Sequence, residues 1–135
     1  MAKAVKLGRV QLQIMDVLWR TGEATARQIT DVLSEQTPIA HSTVQTLLRK
    51  MEAKGAVGHV KHDRTFYFKP LVAQTDVAED AAKDVLSRVF HGSISSLVAH
   101  LIGGEQVPAD EMKRLRELID AHVDNRDSDH AEEPS

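Results

Sequence analysis

Residues 41–70 read HSTVQTLLRKMEAKGAVGHVKHDRTFYFKP and decide the fold class. Residues 42–54 follow a helical pattern, and Gly55 stands where a helix C-cap needs a left-handed residue. Two β-type runs, 57–61 and 65–69, flank the charged turn Asp63-Arg64. A helix followed by a small hairpin is the reading unit of a winged helix-turn-helix, whose helix enters the DNA major groove while the hairpin rests on phosphates.

The charge of the chain is divided between its halves. The whole chain carries −3, but residues 1–70 hold eleven Lys and Arg against six Asp and Glu, whereas residues 71–135 hold six against fourteen. Basic side chains displace counterions from DNA, which supplies most non-specific affinity. The position of the charge matters most, since cations fall on the helix and hairpin, among them Arg49, Lys50, Lys54, Lys61 and Arg64.

Length and composition exclude several classes of protein. The 135 residues suit one domain or a small domain with an appendage, and their core must be aliphatic because only five residues are aromatic. The absence of cysteine excludes disulfides, thiol catalysis and cysteine metal sites. We see neither a bilayer-spanning run nor the apolar segment of a secretory signal, so we expect a cytoplasmic protein that does not insert into membranes.

Apolar periodicity predicts two helices before this unit. Residues 10–19 carry one apolar stripe, and Gly22 ends that helix. The second helix begins near Thr25, which forms a capping box with Gln28. The third, 42–54, buries Val44, Leu47, Leu48 and Met51.

From Thr75 onward the pattern predicts helices without strands, and the sequence from residue 124 has no apolar periodicity. The fold class is therefore mainly α with a small β-hairpin wing. We predict a winged-helix DNA-binding domain at 1–72, a helical dimerisation region at 73–123 and a disordered acidic tail at 124–135. Short amphipathic helices make a poor core alone, so we expect a second copy to cover them. The expected dimerisation residues are Val85, Leu86, Val89, Phe90, Leu97, Val98, Leu101, Ile102, Leu115 and Ile119.

Several segments together resemble the penicillinase repressor family, which includes methicillin-resistance and copper-responsive repressors. They are LGRVQLQIMDVLW, ATARQITDVL, HSTVQTLLRKMEAKGAVGHV, FYFKPLV, SISSLVAHLI and MKRLRELI, and they span about residues 7–119. The resemblance implies a homodimer that binds a palindromic operator in double-stranded DNA and blocks transcription. It assigns base reading to Ser42, Thr43, Gln45 and Thr46. Some members carry basic residues in place of Ser42 and Gln45, so the operator sequence is left open.

The backbone contacts follow from position. Arg49, Lys50, Lys61 and Arg64 suit phosphate contacts, and His41 lies at the start of the reading helix, near phosphate. Tyr67 suits cross-strand packing.

The resemblance also concerns release from DNA. One branch of the family is linked to a membrane sensor protease that leads to cleavage in the segment matching SLVAHLI. His100-Leu101 stands here where well-studied members have Asn-Phe, so the same cleavage does not follow. The cysteines of copper-responsive members are absent.

Two alternatives stay open: a winged-helix protein-interaction module that binds no DNA, and a metal-responsive sensor of the same fold. Seven histidines motivate the second, but no spacing matches a zinc site, and His59 and His62 should face opposite sides of a strand. No nucleophile triad or phosphate loop stands out, which disfavours an enzyme. We expect no metal and no cofactor.

Overall fold

The computed structural model describes residues 5–104 and 106–132, with side chains described for residues 5–104 and 106–126. These residues form two compact units, of which the first ends at Val85 and the second begins at Leu86. The elements are α1 (Arg9–Thr21), β1 (Ala24–Thr25), α2 (Ala26–Ser34), α3 (His41–Ala53), β2 (Val57–His62), β3 (Thr65–Pro70), α4 (Gln74–Arg88), α5 (Ile94–Gly104) and α6 (Ala109–Glu132). Residue 72, where the sequence places the end of the DNA-binding domain, comes just before α4, in which the first unit ends.

The helices of the first unit begin and end at the predicted signals. The Thr25 hydroxyl accepts from the Gln28 amide at 3.1 Å, and the Gln28 side chain accepts from the Thr25 amide at 2.9 Å, which is the expected capping box. Gly22 and Gly55 both adopt a positive φ of 85°, which glycine reaches without steric cost, where α1 and α3 end. The helix boundaries read from these residues are confirmed to within a residue or two.

The core of the first unit is the aliphatic one expected. The apolar stripes of α1, α2 and α3 meet there, and its fully buried large side chains are Ile14, Met15, Leu18, Ile29, Val44, Leu48, Met51 and Val57. Phe68 of β3 closes it from the side of the sheet. The Trp19 indole N–H donates to the Val72 carbonyl at 2.9 Å, which ties the exit of the hairpin to α1. This core fixes the outward face of α3.

The hairpin is confirmed and belongs to a larger sheet. Strands β2 and β3 pair antiparallel from Val57↔Pro70 to His62↔Thr65, one residue longer at the ends than predicted. A third strand, β1, pairs with β3 on its other edge, giving the order β1-β3-β2. The sequence analysis missed β1 because two residues carry no alternation pattern; only the capping box that follows marks the place.

The turn between β2 and β3 has two residues with positive φ, Asp63 at 51° and Arg64 at 67°. A two-residue loop with both residues left-handed matches the right-handed twist of the strands. Asparagine and glycine are the usual residues here, and a side chain such as that of Arg64 costs about 1 kcal/mol in this conformation.

The helices that follow β3 have little buried surface: α4 crosses the boundary between the two units, and α5 and α6 belong to the second. None of the described side chains of α4 or α5 is buried. Phe90 and His100 pack edge to face with ring centroids 5.2 Å apart. On α4, a hydrogen bond and ion pair between Glu79 and Lys83 lowers the pKa of Glu79 and raises that of Lys83. The helices are thus locally stabilised but lack a core of their own among the described residues.

One boundary prediction is wrong. The sequence predicts a disordered tail from residue 124, whereas α6 continues through Glu132. A helix already nucleated gains one hydrogen bond for each further residue that it orders, so it can extend through polar sequence without an apolar stripe. Residues 133–135 lie outside the described part of the chain. No helix of the described residues is long and apolar enough to cross a membrane.

Candidate nucleic-acid interface

The outward face of α3 carries the four residues expected to read bases. Ser42, Thr43, Gln45 and Thr46 are all exposed. Val44 between them is fully buried, so the packing of α3 determines which side chains point outward. The Thr46 hydroxyl donates to the Ser42 carbonyl at 3.0 Å, which leaves its oxygen free to accept from a base but commits its proton. The face is polar and uncharged, and its hydroxyl and amide groups are of a kind that can hydrogen-bond to base edges.

His41 has a second contact that the sequence did not indicate. Its Nδ1 lies 3.1 Å from the hydroxyl of Thr30 on α2, and that hydroxyl donates its proton to the Ala26 carbonyl. Because a hydroxyl has one proton, Nδ1–H of His41 must donate to it. His41 therefore joins the first residue of α3 to α2. In the neutral ring Nε2 carries no proton and offers a phosphate no hydrogen bond.

The cations expected to contact phosphates lie on both α3 and the hairpin. Arg49 and Lys50 are exposed on α3, and Arg64 is exposed at the tip of the hairpin. Lys61 is exposed on β2, where its ammonium lies 5.8 Å from the centroid of the Phe66 ring across the strand pair. Lys54 is differently used, since its ammonium donates to the Lys6 carbonyl at 3.0 Å. The first four are therefore placed to meet a polyanion.

The hairpin is joined to α3 by a contact between a carboxylate and an imidazole ring. The Glu52 carboxylate lies 2.5 Å from Nδ1 of His59 on β2. The His59 ring stacks on Phe66 with centroids 4.5 Å apart and planes inclined by 27°. His62 instead pairs with Asp63 at 3.5 Å and meets the Tyr67 ring edge-on, so the two histidines contact different side chains on the two sides of the strand, as predicted.

A cleft of about 740 Å³ lies between the start of α2, the outer side of α3 and the hairpin. Arg27, Arg49 and Arg64 contribute the cations of its lining, and Gln45 lines it too. In the part of the chain that the structure describes, none of the three guanidinium groups has a hydrogen-bonded or ion-pair partner within the protein. Sequence reasoning missed Arg27, whose position in the first turn after the capping box is its only signal.

Sequence reasoning also missed Glu52 and His59. Seven residues and a chain reversal separate them, so no spacing rule brings them together. The alternation of Phe66 and Phe68 predicted one shared face, and the structure shows that these rings do lie together, with centroids 6.4 Å apart. Phe66 is nevertheless 44% exposed while Phe68 is buried, because Phe68 packs on the core and Phe66 lies two residues nearer the tip of the hairpin.

The residues expected to pair with a second copy are all incompletely buried. Val85, Val89, Leu101, Ile102 and Ile119 are exposed, and the other five are half-buried: Leu86, Phe90, Leu97, Val98 and Leu115. Three further apolar side chains on these helices are about half exposed or more, Ile94, Leu118 and Val123. Exposed aliphatic side chains on successive helices are typical of a surface that another molecule covers.

The bond between His100 and Leu101 lies inside α5, not in a loop. Nδ1 of His100 is 2.8 Å from the Ser96 carbonyl, one turn earlier. The amide of Ser96 donates to the Ser93 hydroxyl, which caps the start of the helix. A protease needs an extended chain, so cleavage there would require α5 to unfold locally.

The described residues hold no group of three His, Asp or Glu side chains that could bind a metal ion. The site's chemistry is that of hydrogen-bonding side chains and fixed cations.

Comparison with known proteins gives consistent results. The family model for "Penicillinase repressor" matches residues 7–121. A penicillinase repressor from Bacillus licheniformis is 25% identical over 126 residues, covering 93% of this chain and 98% of the relative. The transcriptional regulator BlaI of Mycobacterium tuberculosis is 31% identical over 121 residues, covering 88% of this chain and 86% of the relative. The solved DNA-binding domain of the repressor BlaI matches with a TM-score of 0.50 and 28% identity, covering 56% of this chain and 93% of that domain.

Proposed function

Since the chain belongs to the penicillinase repressor family of DNA-binding transcriptional repressors, we propose that it binds a palindromic operator as a homodimer. The observation that carries the proposal is the outward face of α3. Its four base-reading candidates are exposed and uncharged, and unpaired cations flank them on α3 and on the hairpin. That division suits a protein whose cations hold the phosphates while neutral side chains read the bases.

The proposed contacts divide by chemistry. Gln45 can pair bidentately with adenine, Ser42 and Thr43 can each accept from or donate to several bases, and Thr46 can accept through its hydroxyl oxygen. Arg49, Lys50, Lys61 and Arg64 hold phosphates, which fix the register of α3 in the groove. His41 contributes to backbone binding by holding the start of α3 against α2, and it donates directly to a phosphate only when its ring is protonated.

The homodimer is supported by the exposed apolar side chains of α4, α5 and α6, which find no core within the described part of one chain. We propose that a second copy covers them. A twofold axis then places two copies of α3 on one side of the duplex, with half-sites separated by about 34–36 Å or a multiple of it. Such an operator lies in the cytoplasm, where we place the protein.

Release by a membrane sensor protease remains a proposal carried by family membership. The position of His100-Leu101 within α5 adds a requirement, because this bond becomes accessible only after local unfolding of a helix that carries the proposed interface. We propose that dissociation of the dimer precedes cleavage.

The experiment that tests the proposed function is fluorescence anisotropy with DNA from upstream of the protein's own gene, against scrambled duplex, at two salt concentrations. We expect the upstream DNA to bind at least 1,000-fold more tightly, on the order seen for specific sites, with affinity falling steeply as salt rises. Equally weak binding of both duplexes, repeated with genomic fragments selected for binding, would instead favour a protein-interaction module.

A further inference from the structure

The cleft beside α3 has an apolar and aromatic part that DNA phosphates do not use. Ala26 and Ala53 line it together with Phe66 and Phe68. Its volume of about 740 Å³ lies within the range of small-molecule sites. Phe66 is 44% exposed there, and an exposed aromatic ring at the mouth of a cleft is stabilised when a ligand excludes water from it.

The charge of the lining favours an anion. Arg27, Arg49 and Arg64 have no partner among the described residues, whereas the carboxylate of Glu52 is already paired with His59. A guanidinium group can donate two parallel hydrogen bonds to a carboxylate, and it can donate them to a phosphodiester in the same way. The anion alone therefore does not identify the ligand.

The ligand class is identified by the combination of the cations and the aromatic surface in one cleft. A phosphodiester presents no apolar surface to Phe66, whereas a ring carrying a carboxylate can stack against the phenyl groups and meet a guanidinium at the same time. We propose that this cleft binds a small aromatic carboxylate, and that its occupation displaces operator DNA.

The displacement follows from shared residues and rests on the proposed function. Gln45 and Arg49 line the cleft and also belong to the face that we assign to DNA. An arginine paired with a bound carboxylate cannot pair with a phosphate at the same time. The ligand and the operator therefore compete, and the aromatic carboxylate acts as an inducer.

The contributions of the charge and of the ring are separated by comparing benzoate with one analogue that lacks the charge and one that lacks the ring. Binding of benzoate to the full-length protein is followed by NMR chemical shifts of backbone amides in α3 and the hairpin, without DNA. We expect saturation with a Kd of roughly 1–10 mM, as suits so small a ligand. Benzamide, which lacks the charge, and acetate, which lacks the ring, should each bind at least fivefold more weakly.

Variants identify the site. Phe66→Ala and Arg27→Ala should each weaken benzoate binding at least fivefold. Val60→Ala is the matched control, since Val60 is an exposed apolar residue on the same hairpin but does not line the cleft. Unsaturable shifts, equal binding of benzamide, or equal losses in Phe66→Ala and Val60→Ala would each overturn the site.

The regulatory half is tested with operator DNA, at benzoate concentrations compared with equal concentrations of acetate to hold ionic strength constant. At ten times its own Kd, benzoate should raise the apparent operator Kd about tenfold for the native protein. Saturable benzoate binding with an unchanged operator Kd would overturn the competition. If the protein bound no operator even without benzoate, the proposed function would fail instead, and the NMR titration would still decide the cleft.

Discussion

Glu52 on α3 and His59 on β2 form the contact that joins the reading helix to the hairpin, with 2.5 Å between carboxylate oxygen and Nδ1. About a third of each side chain is exposed, 38% for Glu52 and 33% for His59. Pairs this exposed contribute little to stability, roughly 1 kcal/mol at most. We infer that this pair's main effect is geometric, because it sets the position of the hairpin relative to the face of α3.

Removing this pair should therefore reduce sequence preference more than stability. In Glu52→Gln we expect the ratio of scrambled-DNA Kd to operator Kd to fall about three- to tenfold, since the hairpin loses its fixed position and a charge that repels all DNA is removed. Anisotropy with both duplexes measures this ratio. Glu35→Gln, which removes an exposed carboxylate at the C-cap of α2, is the control for charge alone. A similar fall in both variants would refute a positioning role for Glu52.

Alanine substitutions of the residues assigned to phosphates and of those assigned to bases should have different effects on DNA binding. Arg49→Ala and Lys50→Ala should each weaken binding to all sequences and reduce the salt dependence, the slope of log K against log salt, by roughly one. Gln45→Ala should instead reduce discrimination at one base pair by about 1–3 kcal/mol with the slope retained. Salt titrations on operators with single base changes measure both quantities. Unchanged discrimination in Gln45→Ala together with Thr46→Ala would show that another face reads the DNA.

Arg64 combines a strained backbone with a useful charge, and these two effects can be separated. Arg64→Gly should raise the free energy of unfolding by about 1 kcal/mol, because glycine adopts φ 67° without steric cost. It should nevertheless weaken DNA binding, because one phosphate contact is lost. Arg64→Ala is the matched control that loses the same charge and keeps the strain. Urea denaturation should rank the glycine variant above the native protein; equal midpoints for glycine and alanine variants would contradict the strain.

The proposed dimer makes a prediction for α4. Val85 is 42% exposed and assigned to the interface, so Val85→Asp should raise the dimer dissociation constant at least tenfold by burying a charge there. Ser87→Asp places the same charge about 200° around the helix and should leave the dimer intact. Sedimentation velocity over a dilution series measures both variants. If the native protein stayed monomeric at every concentration, a different partner would have to cover these helices.

The winged-helix fold could be predicted from the sequence because its main signals act on residues that are close together in the chain. A glycine with positive φ ends a helix, a capping box begins one, and alternation marks a strand; the signals at Gly22, Thr25 and Gly55 all lie within a few residues of the structure they determine. The same locality explains two failures. The two-residue strand β1 is set by its pairing with β3. The extent of α6 depends on how far the helix propagates beyond its own earlier turns.

The sequence by itself determined the order of the elements, the buried and outward faces of α3, and the excess of cations around it. Apolar periodicity and charge are properties of consecutive residues, so they can be recognised without knowing any contact between distant residues. Tertiary structure alone decided that Glu52 meets His59, that His41 is held by Thr30, and that Arg27 joins Arg49 and Arg64 around one cleft. These groups come from separate elements, and only the packing of α2, α3 and the hairpin on the common core brings their side chains within reach of one another.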